Sequence, residues 1–301
     1  FAPPSTSYYL PLLVYKLPMI LADLGVAFLL PRLFSTPTHK QLSRLLWLFN
    51  PVSIYVSSVM GQVDTLICFF LVLGLINLNN KRLWLTAFFF GVSALIKPIG
   101  FFLIPLLAVD ALRRRNLKEA FILPLIGFGT YLLGSAPYLN LPEFRYFAFF
   151  PSQNLQSTDA GIALASGLLI PWFYITHSLI VGLLLTKRLS LFTSLGLVVL
   201  SSLVFSHFHP QWFVWFTPWL LVLAIKSKQL WLYGLTLLAW LVVLFSFDAS
   251  LHLGAFLTFR SFVWTIPQTL YFQQLNLLSR AWLIALIPLL ALPSHEKTSK
   301  S

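Results

Sequence analysis

The sequence contains very little charge. Only 9% of its 301 residues are Asp, Glu, Lys or Arg, whereas a soluble domain carries roughly 25%. Hydrophobic residues make up 58% and recur in long runs along the whole chain, so a water-soluble fold is excluded and a polytopic membrane protein is predicted. The short alternating strands of a β-barrel are also lacking. Because backbone groups in lipid must be satisfied internally, we predict an all-α transmembrane bundle.

Cysteine and acidic residues are scarce as well. The single cysteine, Cys68, lies in an apolar run, which excludes an intrachain disulfide and a cysteine-based metal site. Eight acidic residues stand against twenty Lys and Arg, and the net charge is +12. In a membrane protein this excess indicates basic loops on one side rather than a nucleic-acid partner. No G-x-G-x-x-G or P-loop signature is present, so no nucleotide is expected to bind.

The apolar runs predict about eleven spans within one transmembrane domain, residues 1–301. If every segment crosses the membrane, most of the Lys and Arg fall on one side, which the positive-inside rule assigns to the cytoplasm. The longer connections, 140–162 and 248–278, then lie outside and could cover a site. The predicted segments are 17–33, 45–60, 65–79, 83–96, 99–112, 121–139, 167–186, 190–206, 212–225, 229–247 and 279–293.

Two pairs of segments predict short helical hairpins, 45–79 and 83–112. The second could instead be one long helix kinked at Pro98, but a turn at Lys97 and Pro98 keeps both flanking basic clusters on the same side. Each arm of about 14 residues is roughly 21 Å long, less than the bilayer core of about 30 Å. We therefore expect both tips in a recessed, water-filled cavity on the outer side.

The hairpin tips carry the first candidate site residues. Gln62 and Asp64 lie at one tip and Lys97 at the other, and ionisable groups at membrane depth usually pair or take part in function. Asp64 could bind sugar hydroxyls together with Gln62, or it could simply cap the next helix. Lys97 could contact a phosphate, or it could form a buried ion pair with Asp64.

Further candidates lie at other outer positions. Lys16, placed at the outer end of a span, could meet a lipid phosphate or extend to the headgroups. His207, His209 and Gln211 lie at an outer turn, where a histidine could bond phosphate or sugar or belong to an interfacial aromatic belt. His-x-His could also ligate a metal ion, but no third ligand is evident. Arg260, in a long outer loop, could bind phosphate or headgroups.

Three more charged residues are expected near the membrane or within it. Asp23 lies about two turns deeper than Lys16, and a lone acid at that depth is expected to pair or hydrogen-bond internally. Arg145 and Arg280 fall on the outer side and are further phosphate candidates. Asp23 could alternatively act directly in catalysis, and Arg145 and Arg280 could simply be attracted to lipid headgroups.

Several stretches carry a resemblance to a known family. The stretch FNPVSIYVSSVMGQVDTL is followed by RLWLTAFFFGVSALIKPIGFFLIPLL, and two weaker matches are YKLPMILADL and SHFHPQWFVWFTPWLL. Together they resemble the multi-pass GT-C glycosyltransferases, most closely the bacterial relatives of GPI mannosyltransferase II (the PIG-V-like group). The family pattern is a helix starting at Asn-Pro, a GQ-D turn and a helix pair broken at Lys-Pro. The likeness covers most of residues 15–110 and one patch near 210.

The resemblance implies a GT-C-like fold and a sugar transfer. The donor would be a polyprenyl-phosphate sugar, with mannose expected, and the acceptor a glycan or lipid hydroxyl on the outer face of a bacterial plasma membrane. Such enzymes carry a catalytic acid in the first outer loop, but residues 1–16 contain no Asp or Glu. The acid, the first span and most of that loop are therefore expected to precede Phe1. No cofactor is expected, and no divalent cation is indicated.

Two other functions remain compatible with the residues. A transporter or flippase for a lipid-linked saccharide is also multi-pass with a polar cavity, but such proteins often show internal symmetry, and no convincing repeat is present. A polysaccharide polymerase or ligase would use outer loops and arginines to hold a lipid pyrophosphate. An acidic first outer loop would favour the glycosyltransferase.

Overall fold

The computed structural model describes residues 6–149, 160–164, 167–205, 208–247 and 269–291. This part of the chain is mainly helical, and its only strands are β1 (Gly161–Ala163) and β2 (Leu169–Pro171), which pair antiparallel with Gly161 opposite Pro171. The helices are α1 Thr6–Leu29, α2 Pro37–Leu48, α3 Pro51–Ile54, α4 Asp64–Asn79, α5 Leu83–Ile96, α6 Ile99–Arg113, α7 Leu117–Ser135, α8 Pro142–Phe149, α9 Trp172–Leu185, α10 Leu191–Val204, α11 Thr217–Lys226, α12 Leu230–Phe245 and α13 Leu270–Ala291. A π-helix covers Tyr55–Met60, and 3₁₀ helices cover Leu30–Leu33, Ala136–Tyr138 and Pro210–Trp215.

Three helical stretches are long and apolar enough to cross a membrane: Leu10–Leu33, Leu117–Tyr138 and Leu270–Ala291. The other apolar helices in the described ranges have 10–17 residues. Length and composition thus make the chain a helical membrane protein. The crossing of all eleven predicted segments stays a prediction.

The turn at Lys97 and Pro98 is a hairpin, as predicted, and not a kink. A Cβ on Gly91 of α5 would lie 2.4 Å from the backbone oxygen of Gly127, and a Cβ on Gly127 would lie 2.7 Å from the Ile104 side chain of α6. Gly91 and Ile104 thus lie at the same level of α7, and they are equally distant in sequence from the turn. Helices α5 and α6 therefore run antiparallel, and both pack against α7.

Helices α4 and α5 also run antiparallel. Thr86 Oγ1 donates to the carbonyl oxygen of Gly74 at 3.2 Å, and a Cβ on Gly74 would lie 2.5 Å from the Phe90 ring. The start of α4 therefore lies beside the end of α5. This arrangement places the tips of the two predicted hairpins next to each other.

The segment predicted at 45–60 is not one helix, because Asn50 divides it. Asn50 Oδ1 accepts hydrogen bonds from the backbone N–H groups of Val52 at 2.7 Å and Ser53 at 3.3 Å. It is thus the N-cap of α3, with Pro51 at the first helical position, where its missing N–H is no loss. The amide of Asn50 also donates to Tyr233 Oη at 2.8 Å, which attaches the start of α3 to α12.

Four other predicted boundaries need correction. The segment predicted at 279–293 belongs to α13, which already begins at Leu270. Helix α1 already begins at Thr6, so Lys16 lies inside a helix and not at the outer end of a span, and residues 6–16 are not a loop. The segment predicted at 167–186 begins as strand β2 before α9. The segment predicted at 212–225 begins in the 3₁₀ helix Pro210–Trp215.

Four basic turns lie at the end of the bundle away from Lys97, which we call the basic end. They follow α4, α6, α9 and α11, and each has a basic residue with φ between 58° and 61°: Lys81, Arg115, Lys187 and Lys228. Arg113 Nη1 donates to Leu189 O at 3.4 Å, which joins the second turn to the third. Lys226 Nζ lies 5.6 Å from the centroid of the Phe192 ring, at the start of α10. This contact joins the fourth turn, which follows α11, to the third. We call the opposite end the Asp64 end.

Candidate functional site

The centre of the Asp64 end is an ion pair between the two hairpin tips. Lys97 Nζ lies 2.8 Å from Asp64 Oδ1 and 3.0 Å from Oδ2. The Asp64 side chain is fully buried, whereas 27% of the Lys97 side chain is exposed. The ion pair that the sequence offered as one alternative is therefore present. A buried carboxylate needs such a partner, because its desolvation is otherwise uncompensated.

Capping does not account for Asp64. It is the first residue of α4, and the N-cap position before it is Val63, which makes no side-chain cap. The capping alternative is therefore wrong. The carboxylate still lies at the positive end of the α4 helix dipole.

Two stacked indoles cover the Lys97 ammonium. Lys97 Nζ lies 5.6 Å from the Trp212 ring centroid and 5.5 Å from that of Trp215, within the range of a cation–π contact. The two rings stack at 5.5 Å with an angle of 11°, because side chains three residues apart eclipse in a 3₁₀ helix. Trp240 Nε1 anchors the start of that helix by donating to Pro210 O at 2.9 Å.

Sequence reasoning did not find this pair of indoles. Neither Trp212 nor Trp215 is among the candidate residues that the sequence indicates. The signal lay in their spacing of three directly after Pro210, since proline favours the first turn of a helix and 3₁₀ turns are common there.

Lys16 is bound to the end of the π-helix Tyr55–Met60. Its Nζ donates to the carbonyl oxygens of Ser58 at 3.0 Å and Val59 at 2.7 Å, which the helix end leaves without backbone partners. Gly61 follows with φ of 65°, and a Cβ there would lie 2.7 Å from the Lys16 side chain. Lys16 therefore does not extend freely to headgroups, and Gly61 makes room for it.

Asp23 bonds internally, as the sequence predicted. Its Oδ1 accepts from Trp47 Nε1 at 2.8 Å, and its Oδ2 accepts from Ser57 Oγ at 2.9 Å. Ser57 belongs to the same π-helix that holds Lys16. Asp23 thus fixes the position of this helix and is not free to act as a base.

Aromatic contacts extend the site from Trp212 to Arg280. The His209 ring lies 4.9 Å from Trp212 and 6.4 Å from Phe247, and the Arg280 guanidinium lies 6.0 Å from the Phe247 ring. Gln211 Oε1 is buried and has no hydrogen-bond partner among the described residues. A polar ligand at this position could donate to it.

The predicted site residues that the structure describes form one neighbourhood at the Asp64 end. They are Lys16, Gln62, Asp64, Lys97, His209 and Gln211. Gln62 is half-buried and follows directly on Gly61, against which Lys16 packs. His207 and Arg260 lie outside the described residues. In the parts of the chain that are described, no three His, Cys, Asp or Glu side chains come close enough to hold a metal ion.

The charges at this end are unevenly compensated. Asp64 neutralises Lys97, but the carbonyls around Lys16 stabilise its charge without cancelling it. Arg280 bonds the neutral amide of Asn276, Nε to Oδ1 at 3.3 Å. Over residues 6–149, 160–164, 167–205, 208–247 and 269–291, no carboxylate pairs with Lys16 or Arg280. The Asp64 end can therefore attract an anion, and its indoles offer flat apolar faces beside it.

No family model, no curated protein and no solved structure matches this chain. The likeness to GT-C glycosyltransferases thus stays a prediction carried by residues 15–110 and the patch near 210. The structure brings these two regions together, since the Trp212 and Trp215 rings of the patch contact Lys97 of the hairpins.

Proposed function

We propose that this protein is an integral-membrane glycosyltransferase of the GT-C type. It would move a sugar, mannose in the first instance, from a polyprenyl-phosphate donor to an acceptor hydroxyl at the Asp64 end. The observation that carries the proposal is the ion pair of Asp64 and Lys97 between two short hairpin tips, beneath the stacked indoles of Trp212 and Trp215.

The position of the tips suits a lipid-linked donor. The arms α5 and α6 have 14 and 15 residues, roughly 21–23 Å of helix. If the bundle starts at the opposite membrane surface, its tips therefore end below the membrane–water boundary on the other side. A donor whose polyprenyl chain lies among the lipid tails would bring its phosphate towards this recess from the membrane. The basic end would then face the cytoplasm, and the Asp64 end the outer side of a bacterial plasma membrane.

In the proposed transfer, the two lysines, Asp64 and the two indoles each have a role. The acceptor oxygen attacks the anomeric carbon, the bond from that carbon to the phosphate oxygen breaks, and polyprenyl phosphate leaves with the electron pair. Lys16 and Lys97 would stabilise the negative charge that develops on the leaving phosphate. Asp64 would hold Lys97 in place, and the indoles would pack against the sugar ring.

The proton of the acceptor hydroxyl must pass to a base. Asp64 is not assigned this role, because both of its oxygens already accept from Lys97. Asp23 is not assigned it either, since it is bonded to Trp47 and Ser57. No base is therefore assigned to this proton among the residues that the structure describes.

The proposal predicts that Lys97→Gln lowers sugar transfer by roughly a hundredfold, since one charged group that stabilises a transition state is typically worth this much. The assay supplies labelled polyprenyl-phosphate mannose, and in parallel the glucose donor, to membranes containing the natural protein or the variant. Lys226→Gln is the matched control, because Lys226 also lies 5.6 Å above an aromatic ring but at the basic end. It should retain transfer.

Two outcomes would count against the proposal. Near-normal transfer by Lys97→Gln would leave the ion pair a purely structural feature. Absence of transfer by the unaltered protein from any polyprenyl-phosphate sugar, with movement of a lipid-linked saccharide across the membrane, would favour the transporter instead.

A further inference from the structure

A cavity of about 470 Å³ opens at the basic end, far from the candidate site. It is lined by Arg113, Arg114, Arg115 and Lys187, and its volume lies within the range of about 300–1,000 Å³ typical of small-ligand sites. The cations come from two separate connections, α6–α7 and α9–α10. The bond from Arg113 Nη1 to Leu189 O, at 3.4 Å, holds these connections together.

Two of the four cations are already paired. The buried carboxylate of Asp110 bonds both Arg113 and Arg114, the latter from Nε at 2.9 Å, and Arg114 also reaches Glu119 at 2.7 Å. These bonds orient the two guanidinium groups at the cavity wall. Charged groups held in this way are preorganised for an anion with several oxygen acceptors.

The other two cations carry uncompensated charge. Arg115 and Lys187 are exposed, and within the described ranges neither makes an ion pair. Both have φ of 61°, at the position after a helix where glycine is the usual residue. Lys81 and Lys228 share this conformation outside the cavity, and what distinguishes Arg115 and Lys187 is that both add positive charge to one cavity.

The residues next to the cavity lining in sequence include large exposed apolar side chains, beside the exposed cations Lys118 and Arg188. Leu117 and Phe121 at the start of α7 are each 73% exposed, and Leu112 and Leu185 are about half exposed. In a membrane protein, side chains of this kind face the acyl chains. A cationic cavity with exposed apolar side chains close to its lining residues in sequence suits the two parts of a phospholipid, whereas a soluble phosphate would use only the cations.

We propose that this cavity binds the headgroup of an anionic phospholipid, with the phosphate at Arg115 and Lys187 and the acyl chains along Leu117 and Phe121. Basic pockets between the ends of membrane helices are suited to such headgroups. The site is separate from the proposed transfer site, and the inference does not depend on that function.

The test measures lipid binding to the purified protein by native mass spectrometry and by thermal stabilisation in detergent. Phosphatidylglycerol and cardiolipin are compared with the zwitterionic phosphatidylcholine and with inorganic phosphate. In the double variant Arg115→Gln/Lys187→Gln, the anionic lipids should bind roughly 25-fold more weakly, because two surface cations that attract the headgroup are lost. Lys81→Gln/Lys228→Gln is the matched control, because it removes the same charge from the same backbone conformation outside the cavity.

Selective loss of phosphatidylglycerol or cardiolipin binding in the first double variant alone supports the proposal. Equal loss in both double variants overturns it, because the effect would then be one of total charge. Equal stabilisation by phosphatidylcholine overturns it too. Competition by millimolar inorganic phosphate, with no preference for lipid, would make the cavity a free-phosphate site and overturn the lipid assignment.

Discussion

Single side chains at the Asp64 end show how a membrane protein can keep charge inside. Asp64 is fully buried, and among the described residues Lys97 is the only cation within bonding distance of its carboxylate. Hydrophobic packing alone could not tolerate either group, because an unpaired ion in a low-dielectric interior costs several kcal/mol. The sequence offered ion pairing and ligand binding as alternatives, and the partial exposure of Lys97 makes the two compatible.

We predict that Asp64 and Lys97 are energetically coupled. Asp64→Asn or Lys97→Met alone should destabilise the protein, by up to about 3–5 kcal/mol for a fully buried pair and by less here, because Lys97 is partly exposed. The double variant should lose less than the sum, with a coupling energy between about 0.5 and 3 kcal/mol. Thermal unfolding in detergent measures all four proteins. Strictly additive losses would show that the contact contributes nothing to stability.

The short elements depend on small residues at their crossings. The hairpin of α5 and α6 closes tightly because Gly100 has no side chain: a Cβ there would lie 2.1 Å from Phe90 O and 2.6 Å from Ser93 Oγ. The sequence pattern located the turn from Lys97 and Pro98 and from the basic clusters. It did not reveal that this glycine sets how closely α6 approaches α5.

Gly100→Ala is therefore expected to destabilise the hairpin. The added methyl group meets backbone that cannot move without separating the helices, and overpacking of this kind typically costs about 1–3 kcal/mol. Gly129→Ala in α7 is the matched control, since a Cβ there meets nothing within 4 Å, and alanine is the better helix former. A melting temperature of Gly100→Ala at or above that of Gly129→Ala would refute this account.

The π-helix Tyr55–Met60 is the element that the sequence could least predict. Its backbone pattern is stabilised from outside, by Lys16 at its final carbonyls and by Asp23 at Ser57. Both partners come from α1, more than thirty residues earlier. Nothing local to residues 55–60 indicates a π-helix, so the reading of 45–60 as one regular segment failed there.

The molecule as a whole has two chemically different ends. Basic turns gather at one end, while the Asp64–Lys97 pair, the indoles and Lys16 gather at the other. The antiparallel order of α4, α5 and α6 produces this separation, because each turn reverses the chain. If the helices cross the membrane as proposed, the positive-inside rule would assign the basic end to the cytoplasm.

We predict that Gln62→Cys is labelled from outside intact cells by a membrane-impermeant maleimide, and that Lys81→Cys is labelled only after permeabilisation. Background should be low, because the single native cysteine, Cys68, is buried. The two positions lie at opposite ends of α4, so they report on one helix. Labelling of Gln62→Cys only from the cytoplasmic side would invert the topology and remove the proposed outer-face site.

The sequence by itself determined the helical membrane class, the hairpin at Lys97, and both ends of five predicted segments to within two residues (65–79, 83–96, 99–112, 190–206 and 229–247). It could do so because hydrophobic runs and basic connections are local and their physical effect is large. It also located most of the residues of the candidate site. Only the tertiary structure decided that Lys97 bonds Asp64, that Lys16 bonds the π-helix, and that Arg115 and Lys187 share one cavity. These contacts join residues far apart in the chain, and their geometry depends on how the helices cross, which no local pattern encodes.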